Sequence, residues 1–147
     1  MKSLLENEGY SDIKARLQRL DENAERQWGK MTVGQMLWHC QYPLKLAIEN
    51  KDNNAKGNWF IKTFFKKSLY NDKPWRKNLP TTPQLKAKEP KDFQTELGKI
   101  TALVDAFHEC KARDTWNPHP TFGRFTKEQW GQLEYKHLDH HLRQFGV

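Results

Sequence analysis

Apolar residues return every three or four positions in four separate stretches of this chain, and none of them alternates with the two-residue period of a half-buried strand. Ile13, Leu17 and Leu20 follow Ser11, which predicts a first helix opening at that serine. Thr32 and Thr126 begin the runs T-V-G-Q and T-K-E-Q. Both match the capping box, in which a threonine and a glutamine three residues later satisfy the free N–H groups of a helix start. Pro90 predicts the start of a third long helix, with Phe93, Leu97, Ile100, Val104 and Phe107 as its apolar stripe out to about Cys110. Four amphipathic helices in 147 residues predict an all-α four-helix bundle forming a single domain over residues 1–147. Some forty residues separate the second helix from the third, including PWRKNLPTTPQLKAKEP. A connection that long can cross the bundle, leave those two helices parallel in an up-down-down-up order, and cover one end.

The opening MKSLLENEGY lacks the continuous apolar run of a signal peptide, and no segment approaches bilayer length, so a soluble, cytoplasmic protein is expected. Cys40 and Cys110 stand far apart without a CxxC pair and read as small core residues. The net charge of +7 is concentrated, because residues 51–91 hold eleven lysines and arginines against three acidic residues. There Lys62, Lys66, Lys67, Lys73, Arg76 and Lys77 interleave with Trp59, Phe60, Phe64, Phe65, Tyr70 and Trp75. Such a segment can grip a single nucleic-acid strand or an anionic membrane surface. The plainer reading, a short helix whose aromatics cap the core while its lysines face water, is preferred, and a nucleic-acid partner is not expected. Exposed aromatics between 59 and 75 make a homodimer plausible.

The histidines carry the chemistry. Six occur in the chain, and three fall in KHLDHHLRQFGV at 136–147. Trp130, Leu133, His137, Leu138, His141 and Phe145 share one face of the last helix, so His137 and His141 lie in its apolar stripe, one turn apart. His140 points about 100° away, and Asp139 is expected in solvent with Lys136 and Arg143. Buried imidazoles need partners for their nitrogens, either a metal ion or a hydrogen-bonded cluster. His39, in MTVGQMLWHCQYPLKL, is a candidate third ligand at the edge of the second helix's stripe; Pro43 removes the hydrogen bond to the carbonyl of residue 39 and predicts a kink or widened turn. Glu134, near the face of His137, is a candidate to orient a ligand imidazole or act as general base, or else it caps the wet edge of the stripe. His119, in the loop NPHPTFGRF, is a candidate wall of a substrate site, and His108 reads as a surface residue. No GxSxG elbow, GxGxxG, GxxxxGK[ST] or paired-cysteine zinc motif occurs.

MTVGQMLWHC and the closing run HPTFGRFTKEQWGQLEYKHLDHHLRQFGV resemble the DinB-like and YfiT-like metalloenzyme superfamily, and within it an uncharacterised bacterial branch. The resemblance implies that His39, His137 and His141 occupy metal-ligand positions. Three neutral imidazoles leave at least one position open on a divalent ion such as zinc, nickel or iron. It further implies a small-molecule substrate, with a low-molecular-weight thiol and thiol-dependent transfer or hydrolysis as the leading chemistry. The alternative is a non-catalytic helical binding module with structural histidines, whose basic segment meets an anionic partner.

Overall fold

The computed structural model describes residues 1–51, 65–81 and 83–147. Trp59, Phe60, Lys62 and Phe64 of the basic segment lie outside the described residues. Among the described residues four long helices form: α1 (Asn7–Arg19), α2 (Val33–Glu49), α3 (Phe93–Glu109) and α4 (Lys127–Gln144). Short 3-10 turns stand at Lys66–Leu69, Pro83–Leu85 and Cys110–Ala112, and no strand occurs among the described residues. Among the described residues no helix is long and apolar enough to cross a membrane.

Both expected capping boxes are present, at Thr32 with Gln35 and at Thr126 with Gln129. The other two starts differ from expectation. The first helix begins at Asn7, a turn before Ser11, with Glu6 at the N-cap and no side-chain cap. Tertiary contacts support that extra turn: Tyr10 stacks on His108 at 4.1 Å and its hydroxyl donates to Asp105. The third begins at Phe93, because Asp92 caps it by accepting from the Thr95 N–H, an office Pro90 cannot fill. Pro43 neither breaks nor widens α2, which is α-helical from Val33 to Glu49.

The crossover does leave α2 and α3 parallel. Gly34, at the start of α2, lies against the Lys91 backbone, Gln41 donates to Glu96, and Arg113 just beyond α3 donates to the carbonyls of Ala47 and Ile48 at the end of α2. A Cβ at Gly34 would fall 2.1 Å from the Lys91 carbonyl oxygen, so only glycine admits that approach. α1 and α4 run parallel to each other, tied by Leu4 to Gly131, Tyr135 to Asp12 and Arg16 to Asp139. The order is up-down-down-up. The core between them holds Ile13, Leu17, Met36, Leu37, Leu44, Ile100, Val104, Phe107, Leu138 and Leu142.

Several polar residues go deeper than their sequence positions suggest. Asp139 is not a solvent group; it pairs with the buried Arg16 at 2.8 Å. Lys136 is 5 % exposed. His108 is also buried and not on the surface: Lys111 donates to its Nε2, which leaves Nδ1 to donate to the Leu4 carbonyl. Cys40 is a core residue as expected, whereas Cys110 is only half-buried. In the basic segment Tyr70 and Trp75 turn inward, onto Phe125 and onto His137 and His140, while Phe65 stays exposed. Tyr70 and Trp75 thus pack as the core-capping reading expects, whereas Phe65 does not, and Lys66 reaches the Arg124 carbonyl and the Phe125 ring.

Candidate metal centre

His39 from the first half of α2 and the pair His137 and His141 from the last turns of α4 meet at one end of the bundle. Their ring centroids stand 5.2, 4.8 and 4.8 Å apart, and one ligand nitrogen from each lies within 4.8 Å of the others. α2 and α4 are antiparallel neighbours here, so a residue early in α2 faces residues late in α4. The i, i+4 spacing then sets the two α4 rings one above the other. His140 is not part of the group.

Partners of the outer nitrogens fix which nitrogen faces inward. The His39 Nδ1 lies 3.0 Å from the Leu85 carbonyl, which can only accept, so Nδ1 carries the proton and Nε2 holds the lone pair. The His141 Nδ1 lies 2.9 Å from the Gln144 Oε1, whose amide orientation is set because its Nε2 donates to the Trp28 carbonyl. His141 therefore also keeps Nε2 free. The Nε2 atoms of His39 and His137 stand 3.2 Å apart. Two nitrogens on a tetrahedral zinc at ordinary bond lengths are about 3.3 Å apart. The donor set fits a divalent cation, with an imidazole–carbonyl or imidazole–amide bond behind two of the three ligands.

Burial favours the neutral form of all three rings, the form able to ligate a cation. It lowers His39 despite the opposing hydrogen bond to Leu85, pushes His141 down to about 3, and takes His137 well below the usual imidazole value, with the neighbouring histidines adding to the effect. The His137 Nδ1 is buried with no hydrogen-bond partner among the described residues. Glu134, three residues earlier on α4, is in the same condition at both carboxylate oxygens and is fully buried, not at a wet edge. Burial pushes its carboxyl up to about 8.

The crossover covers this end. Leu85 supplies its carbonyl to His39, and Trp75 lies over His137 and His140 at 5.9 and 5.7 Å. His119 is not brought to the cluster. It packs on Trp130, Phe122 and Phe125, roughly 10 Å back along α4 from His137. Its Nδ1 accepts the N–H groups of Thr121 and Phe122, which closes its own loop, and burial lowers it to about 4.

Gln144 and the Leu85 carbonyl escaped the sequence reading. Gln144 was within reach of it, since a glutamine three residues past His141 shares its helix face. A backbone carbonyl delivered by the crossover left no residue-type signal. Residues 2–146 match the family described as Protein of unknown function (DUF1569). No curated protein and no solved structure matches the chain.

Proposed function

We propose, for a chain that belongs to the DUF1569 family, that the protein is a small metal-dependent enzyme of the DinB-like kind with His39, His137 and His141 as its ligands. The observation that carries this is the pair of fixed tautomers: His39 and His141 each commit Nδ1–H to a protein oxygen and keep Nε2 for the interior. A structural cluster would use one of these lone pairs, since His137 Nε2–H could donate to the His39 Nε2 at 3.2 Å, but two rings with Nδ1 committed leave one Nε2 lone pair more than that single bond uses. A zinc, nickel or iron ion held there supplies Lewis acidity to a water or thiol in a remaining coordination position.

The chain's own residues supply the rest. Leu85 and Gln144 hold two imidazoles in orientation, and Trp28 holds Gln144. With Nε2 of His137 given to the centre, its Nδ1 carries a proton that needs an acceptor, and the unpartnered Glu134 carboxylate one turn earlier on α4 is the group we assign to it. Trp75 and the crossover keep bulk water off this face. The substrate is a small molecule, and thiol-dependent transfer or hydrolysis is the chemistry favoured by the resemblance of MTVGQMLWHC and the closing helix to that superfamily.

Elemental analysis of untagged protein, purified without chelators and then offered zinc, nickel or ferrous iron, tests the reading. About one metal per chain is expected, with none in His137→Ala and a lower Tm for wild type after chelation. No uptake of any of the three ions and no effect of chelator on Tm would overturn it.

A further inference from the structure

A cavity of about 500 Å³ opens directly beside the histidine cluster. His140 is the partition, since it lines the cavity while its ring stands 5.1 Å from that of His141. Trp28 and Trp75 flank His140 at 5.6 and 5.7 Å, both half-buried, and with Tyr135 they give the cavity flat aromatic walls.

Its charge is one-sided. Five cationic side chains line it against two carboxylates, Asp72 and Asp139, and Asp139 is already shared by Arg16 and Arg143. Lys136 is the most telling of the five. It is buried, and its ammonium donates at 2.7 Å to each of three neutral oxygens, the Ser68 carbonyl, the Asn71 carbonyl and the Asn71 Oδ1. Those bonds use all three donors but supply no negative charge, and no carboxylate among the described residues stands within ion-pair distance. Asp72 and Asp139 act on this ammonium only from beyond ion-pair distance, and each is already paired elsewhere, so the buried cation is incompletely compensated and an anion in the adjoining space offsets the cost. Lys77 lies over the Trp28 ring at 4.7 Å, and Lys73 lines the same space from an exposed position.

We infer that this cavity binds a small organic anion, a carboxylate or a phosphate ester carrying a flat apolar portion, with the aromatic walls taking the flat part and Lys73, Lys77 and Lys136 the charge. That the bound anion is the enzyme's substrate rests on the metal-centre reading; that it binds does not. The volume suits a ligand of ordinary metabolite size.

Calorimetric titration of the full-length, metal-loaded protein with phenyl phosphate, benzoate and neutral benzyl alcohol tests the inference. At least one anion saturates at one per chain, weakening as salt rises to about 0.15 M, and benzyl alcohol does not bind. The tighter anion assigns the head group. Lys73→Gln/Lys77→Gln, two exposed changes that leave the fold intact, weakens that anion about tenfold with metal content unchanged. Failure of both anions to bind, equal binding of benzyl alcohol, or an unchanged affinity in the double variant overturns the inference. Retained anion binding by metal-free His137→Ala supports the pocket independently of the centre. A wild type that binds anion but no metal would sink the enzyme reading alone.

Discussion

Glu134 should make the stability of the metal-free protein fall as pH rises, and Glu134→Gln should remove that fall. The carboxyl is fully buried and both oxygens lack partners, so burial pushes it from an ordinary 4.5 to about 8. The folded protein therefore holds a proton that the unfolded chain releases across that interval. Stability from this group is complete below about pH 4.5 and is lost as pH climbs toward about 8. One pH unit inside the interval is worth about 1.4 kcal/mol, so the loss is roughly 1 kcal/mol by pH 5 and roughly 3 kcal/mol by pH 7. Glutamine keeps the shape and stays neutral throughout. Urea unfolding followed by circular dichroism, with chelator present, at pH 5, 6 and 7 should show the variant gaining on wild type by about 2–2.5 kcal/mol over that range. A difference between variant and wild type that does not change with pH would refute the argument, because it would mean Glu134 finds a proton or charge partner in the folded state.

Gln144→Leu removes the acceptor behind His141 while leaving all three ligands, and should weaken metal binding about 10- to 100-fold in competition with a chromophoric chelator. Unchanged affinity would mean that the amide does not orient the ring. Gly34→Ala drives a Cβ against the Lys91 carbonyl and should destabilise by about 1–3 kcal/mol, lowering Tm by about 3–10 °C by calorimetry. In the native protein a thiol reagent should modify Cys110 alone. Cys40, wholly buried and with its thiol pushed up first by burial and then by the charge of Glu134, should react only after denaturation.

The helices and the cluster were legible in the sequence for different reasons. Thr32 and Thr126 announce their helices because a capping box is a local device, complete within four residues. His137 and His141 were equally readable, since i, i+4 spacing fixes two rings on one face wherever the helix goes. His39 required the bundle, because it reaches the other two only through the antiparallel packing of α2 on α4. Where the reading failed, a long-range partner had overridden local pattern. His108 looked like a surface residue until Leu4, Tyr10 and Lys111 enclosed it, and Asp139 looked solvated until Arg16 reached it from α1. Asn7 to Tyr10 joined the first helix on the strength of contacts to α3 that no local signal records. Lys136 belongs with these, as its three acceptors come from the crossover, some 65 positions away.

The two sides of the histidine cluster are 98 positions apart along the chain. Closing so large a ring is slow and entropically uphill, and it cannot happen before α4 has docked against α2. The three rings can come together only once α2 and α4 have docked, so a preformed site for an ion would exist in the folded bundle and not in the unfolded chain. An ion held by these three rings would work as a reversible clasp between distant parts of the chain, tightening the bundle from one end.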